Sequence, residues 1–249
     1  MAIGNYFYIT ALPNLGDLGE KPGIKPAEML AFLSDRPVLK STASVIFLQD
    51  DLLQREAFLA GEEKVVEPAV LTMGQVQNQA PLPAELVEVS TQEPSRSIFA
   101  DITWELYFRF AVRVASEAGS EFLARWVRYE VGLRNAMVVE RSKRLGLDPS
   151  RYLVAKELGE EGVDFRTVIG EWSSAETPLA GHRVLTLARW RWLGENEGWF
   201  SFENDELAAY AAKLILLHQW HRLIEADSGE TSSLGTAGES SENGERTTQ

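Results

Sequence analysis

Cysteine is absent from the 249 residues. No disulfide framework and no thiolate metal site can form, which fits a reducing compartment. Histidine occurs only three times, and no HExxH zinc pattern is present. Long apolar runs are also missing. The most apolar window, Leu207 to Leu217, is too short to span a bilayer and contains Lys213. Met1 to Thr10 lack the basic start and apolar stretch of a secretory signal. Basic charge is scarce: 24 Lys and Arg against 37 Asp and Glu give a net charge of −13. An acidic surface repels phosphate backbones, so general nucleic-acid binding is disfavoured. Gly16, Gly19 and Gly23 do not follow phosphate-loop spacing, and no dinucleotide fingerprint follows a strand. No Ser/His/Asp constellation can be assigned. The expectation is a non-catalytic protein without cofactor or metal, cytoplasmic and soluble or peripheral to a membrane.

What is present is helical period. With 45% hydrophobic residues the chain can bury one sizeable core. The stretch from Ser120 to Pro149 is marked at both ends. Ser120 is a candidate N-cap, Glu121 sits in the first turn, Arg141, Lys143 and Arg144 load the last turns, and Gly146 and Pro149 stop the helix. Between them Phe122, Trp126, Tyr129, Leu133 and Ala136/Met137 recur at three and four residues, the stripe of a helix packed on other helices.

Taken in order, Asn5 to Leu12 is aromatic and β-branched and predicts a short extended strand. A Gly/Pro loop follows to Lys25. Ala27 to Leu33 predicts a short helix and Ser41 to Ala60 a longer one, with Asp50, Asp51, Arg55 and Glu56 outside its apolar stripe. Residues 62–97 carry four prolines without sustained period, an irregular connection with a short helix from Pro83 to Val89. Ile98 to Ala118 predicts a helix broken by Gly119, antiparallel to the Ser120 helix. Asp148 to Leu158 and Asp164 to Trp172 predict short helices, Thr177 to Leu193 a longer one, and residues from Ser201 or Asn204 to about Ala226 the last. The Ser, Gly, Thr and Glu-rich tail 227–249 predicts disorder. The fold expected is a single all-α domain, 1–226, with long antiparallel helix pairs and a short N-terminal strand.

Candidate chemistry is thin. His218 and His221 share a helix face, a spacing that two metal ligands could use but that packing histidines fill more often. Glu157, Glu160, Glu161, Asp164 and Glu171 flank Gly159 and Gly162 and read as an exposed acidic loop. Glu130 and Arg134 stand at i, i+4 as an ion pair, which partial burial would make costly to break. Ser120 to Gly146 holds six basic residues against three acidic ones. This local excess suggests a face for an acidic protein partner, built from Arg125, Arg128, Arg134 and Asn135 with Arg189 and Arg191. Trp190 and Trp192 cannot face one direction on a helix, so one is expected to be exposed.

The run Asn5-Tyr6-Phe7-Tyr8-Ile9-Thr10-Ala11-Leu12-Pro13 resembles the "NYYYLVAGLP" start of a small helical family. That family is encoded with the subunits of some bacterial V-type (A/V-type) ATPases. Leu187-Ala188-Arg189-Trp190-Arg191-Trp192, Trp199-Phe200-Ser201 and the close at Trp220 are similar to the same family, with Gln219 where it has arginine. Glu130, Leu133, Arg134 and Asn135 resemble the "E.E..N" helix of the C/d-type stalk protein of V-type ATPases. The resemblance implies a C/d-like helical architecture and a central-stalk protein that takes part in proton or sodium transport without chemistry of its own. It would link the central shaft to the membrane proteolipid ring and reach the membrane only through these partners. The alternatives are a transient assembly factor of the same ATPase, or a small helical ligand-binding protein or enzyme. The last would need a pocket joining tryptophans, His218 or His221 and an acidic residue.

Overall fold

A computed structural model describes residues 3–88, 98–159, 163–198, 201 and 203–239. Glu160, Glu161, Trp199 and Phe200 lie outside the described residues. The structure is 71% helical, with nine α-helices and no strand among the described residues, so the class is all-α. The helices are α1 Ile3–Ala11, α2 Pro26–Phe32, α3 Pro37–Ala60, α4 Met73–Val76, α5 Phe99–Ala118, α6 Glu121–Leu145, α7 Arg166–Ser174, α8 Pro178–Asn196 and α9 Asn204–Glu239.

One expectation is corrected at the start of the chain. The first segment is a helix, not a strand. No strand among the described residues is available to pair with it, whereas a helix sets Asn5 and Tyr8, three apart, on one buried side. Tyr8 meets Phe32 edge-on at 5.4 Å and donates its hydroxyl to Asp35. At the other end α9 runs to Glu239, into the tail for which disorder is expected. Residues 240–249 lie outside the described residues.

The termini of α6 follow the expected signals. Ser120 Oγ accepts from the Leu123 N–H at 3.1 Å, and Gly146 closes the helix with φ of 66°. Asp205 of α9 adds a carboxylate there, accepting from the Phe122 N–H at 3.0 Å and from the Ser120 hydroxyl. It thus places negative charge at the positive end of the α6 dipole. Gly119 (φ 64°) makes the turn between α5 and α6, which pack side by side.

The centre of the molecule is the crossing of α3 and α9, not α6 alone. On α9, Ala208, Ala209, Ala211 and Ala212 are all buried beside Leu214 and Leu217, so small side chains allow close helix approach. Phe47, Tyr107, Phe108, Phe122 and Trp126 fill the remaining core. The Tyr107 hydroxyl donates to the Val45 carbonyl at 3.0 Å, joining α5 to α3.

The polar residues of α3 do not face solvent as the apolar stripe suggests. Asp50 and Asp51 are each 1% exposed and Arg55 is 7% exposed. α3 is surrounded, and its polar side chains serve neighbouring backbone. Asp51 accepts from the N–H groups of Ala69, Val70 and Leu71 at 2.9, 2.7 and 2.7 Å. Gln54 accepts from the Glu67 N–H at 2.8 Å. Arg55 donates to the Gln75 carbonyl at 3.1 Å and to Asn78 Oδ1 at 2.9 Å. The connection after α3 lacks long regular structure because it borrows its hydrogen bonds from α3. Within it, Ala84–Leu86 forms a short 3-10 turn close to the helix expected there, and Pro149–Arg151 and Lys156–Leu158 form two more after α6.

Burial pushes the Asp51 carboxyl up to about 6, against the three N–H donors that hold it down. A group whose folded value is raised favours folding while protonated, and that contribution disappears as pH rises through the folded value. Asp51 should therefore titrate near 6 in a carbon-detected NMR titration. Its contribution to stability, roughly 3 kcal/mol, should be present near pH 4 and absent by pH 8. Urea unfolding across that range should show this slope in the wild type and not in Asp51→Asn. A carboxyl midpoint below 4 contradicts it.

Candidate interaction face and the buried ion-pair hub

Glu130 sits on α6 with its side chain 3% exposed, facing α8 and α3. Arg189 of α8 donates to it through Nε at 2.7 Å and through a terminal nitrogen at 3.0 Å. Gln49 of α3 donates a third bond at 2.7 Å. One carboxylate thus holds three helices together. Asp50, one residue further along α3, does the same toward α9. It accepts from Gln219 at 2.8 Å and Arg222 at 2.5 Å, with Gln54 of its own helix at 2.8 Å.

A third linkage joins α6 to α5. Arg134 lies 3.4 Å from Asp101, and its guanidinium stands over the Trp104 ring at 4.8 Å. The Trp104 indole N–H donates to Glu56 at 2.6 Å. Asn135 closes a reciprocal pair with Val154, donating to its carbonyl at 2.9 Å and accepting from its N–H at 3.0 Å.

This arrangement corrects the expected pairing of Glu130 with Arg134. Glu130 is buried, but its partner is Arg189 and not Arg134. A long-range guanidinium offers bidentate geometry that i, i+4 spacing on one helix does not. Of the six residues expected on a partner face, Arg134, Asn135 and Arg189 are committed to internal contacts. Arg125, Arg128 and Arg191 are exposed. Arg125 reaches Asn196 of α8 at 3.1 Å, and Arg128 stands one turn along α6. Arg191 lies close enough to act electrostatically on the Tyr129 hydroxyl. All three flank an aromatic seam in which Trp192 meets Tyr129 at 5.0 Å, Trp126 at 5.4 Å and Phe122 at 6.0 Å. Neither Trp190 nor Trp192 is exposed: both are half-buried, and Lys213 stands 5.5 Å over the Trp190 ring.

His218 takes a packing position. His218 Nε2 is 3.0 Å from the Ile24 carbonyl, and burial pushes its pKa down. Among the described residues no group of three or more His, Asp or Glu side chains is arranged to hold a metal ion. His218 and His221 line a surface cleft of about 490 Å³ with Glu67 and Glu225, and no tryptophan lines it among the described residues. A second cleft, about 540 Å³, runs over Asp50, Gln219 and Arg222 between α3 and α9, with Glu63 and His182 on its walls.

Sequence reasoning misses the pairing of Asp50 with Gln219 and Arg222, and that of Gln49 with Glu130. The available signal is the run Val45-Ile46-Phe47-Leu48-Gln49-Asp50-Asp51-Leu52-Leu53, in which apolar residues occupy every side of the helix. Such a helix is central, so its charged residues must be paired.

Burying two charges is expensive, so an ion pair of this kind adds little net stability but is costly to break. Arg189→Ala, which strands the Glu130 carboxylate, should lower stability by about 3–5 kcal/mol. Replacing both residues by apolar side chains of similar volume should recover most of that loss. Urea unfolding of the single and double variants measures both effects. A loss below about 1 kcal/mol for Arg189→Ala, the range of a surface pair, contradicts the hub.

No curated protein and no solved structure is found that matches this chain. Residues 100–232, from the start of α5 into the distal part of α9, match a family described as "Protein of unknown function (DUF2764)". The matched span contains Asp101, Glu130, Arg134, Asn135, Arg189 and Arg222. It covers more than half of the 249 residues, and the chain belongs to the DUF2764 family.

Proposed function

We propose that this protein is a non-catalytic coupling component of a bacterial V/A-type rotary ATPase, linking the central shaft to the membrane proteolipid ring in the manner of the C/d-type stalk protein. The observation that carries the reading is the resemblance of the Asn5–Pro13 and Leu187–Trp220 runs to the helical family encoded with such ATPases. The buried hub is compatible with it. A body that passes torque between partners must resist sliding of its helices, and paired carboxylates at the α3/α6/α8 and α3/α9 crossings oppose that motion. No described helix is long and apolar enough to cross a membrane. In this reading membrane contact runs through the partners, and localisation is cytoplasmic and peripheral.

The contact face in this reading narrows to Arg125, Arg128 and Arg191, the members of the basic set that are exposed. A second reading, a helical ligand-binding protein or enzyme, draws on the 540 Å³ cleft floored by Asp50 and Arg222. A transient assembly factor would use the same basic face but leave the finished complex.

The triple reversal Arg125→Glu, Arg128→Glu and Arg191→Glu tests the face. Rim charges act mainly through long-range complementarity, so retention on the purified ATPase should fall by roughly tenfold or more and should depend on salt. Circular dichroism should remain that of the wild type, since these side chains stand outside the hub. Undiminished retention with an intact helical spectrum removes this face from the account.

A further inference from the structure

Trp126 is 2% exposed and is the largest fully buried side chain. Its indole N–H donates to no protein group among the described residues. Buried indoles ordinarily find an acceptor, and leaving such a donor unmet costs about 1–3 kcal/mol. Beside it lies a cavity of about 10 Å³, lined by Trp126, Gln49, Asp50, Arg189 and Gln219, with aliphatic side chains completing the wall. It lies where α3, α6, α8 and α9 meet.

The chemistry of the wall selects the occupant. Gln49 and Gln219 each donate one amide N–H, to Glu130 and to Asp50, and their side-chain carbonyl oxygens are acceptors in the wall. A cation would face the indole N–H and the Arg189 guanidinium. An anion would face the Asp50 carboxylate. The volume admits a single water and nothing larger. We propose that this junction holds one internal water, which accepts from the Trp126 indole N–H and donates to the side-chain carbonyls of Gln49 and Gln219. The bound water completes the polar hub by joining the Glu130 and Asp50 networks, which start from the neighbouring residues Gln49 and Asp50 of α3. The 540 Å³ cleft shares Asp50, Leu53 and Gln219 with the cavity, so exchange with solvent passes beside Gln219.

The test uses the full-length protein labelled with ¹⁵N. Rotating-frame and laboratory-frame Overhauser spectra are recorded at the water frequency on the assigned Trp126 indole proton. A long-lived water gives a cross-peak opposite in sign to the diagonal in the rotating frame and of the same sign in the laboratory frame. Direct exchange of the indole proton gives the diagonal sign in both. The expected result is the long-lived pattern at Trp126. Loss of any such cross-peak, or the exchange pattern, overturns the proposal. A crystal structure that resolves other buried waters gives the second measurement. Density within hydrogen-bond distance of Nε1 supports the site, and an empty cavity overturns it.

Discussion

A carboxylate cannot be left alone in a protein interior, and this fold places Glu130 and Asp50 where several long helices cross. Each must be met by donors from another helix, and the donors that meet them fix which helices are neighbours and in what register. Arg189 can satisfy Glu130 bidentately only if α8 lies against α6 at one axial position. Gln219 and Arg222, three residues apart on α9, can both reach Asp50 only if α9 crosses α3 at that turn. Apolar packing supplies most of the burial energy but tolerates sliding by a turn; the charged pairs do not. Asp51 extends the same logic to the chain after α3, whose backbone N–H groups it gathers.

This constraint separates two sets of arginines around the hub. Arg134, Arg189 and Arg222 are partners of acidic side chains inside the helix layers. Arg125, Arg128 and Arg191 remain at the surface along the Trp192 seam. Of these six, only the second set can meet an external acidic surface without breaking a buried pair. A rigid interior with a small basic edge on an otherwise acidic protein suits a component that passes force between partners, and that is the reading proposed for it.

Much of the architecture was legible from local signals. Ser120 and Gly146 bound α6 because a capping hydroxyl and a left-handed glycine act through their own neighbours. Gly61 and Gly119 end α3 and α5 for the same reason. Two kinds of information were not legible. The first is context that overrides propensity: Asn5 to Leu12 has the composition of a strand, but with no sheet to join among the described residues it folds as α1 and buries Asn5 and Tyr8. The second is long-range pairing. Glu130 and Arg134 stand four apart, and sequence spacing couples them. The structure instead couples Glu130 to a residue 59 positions away. Spacing on one helix reports which side chains can meet, whereas burial decides which must. For the same reason, positive charge counted along the chain does not separate a guanidinium that serves the core from one at the surface.

The central functional claim is occupancy of a fixed place in a rotary ATPase. The most direct measurement is to purify the intact enzyme from native membranes in mild detergent and quantify this chain against the shaft proteins by mass spectrometry. The account predicts a constant ratio near one copy per central shaft. A chain that is absent, or present far below that ratio, contradicts the coupling role.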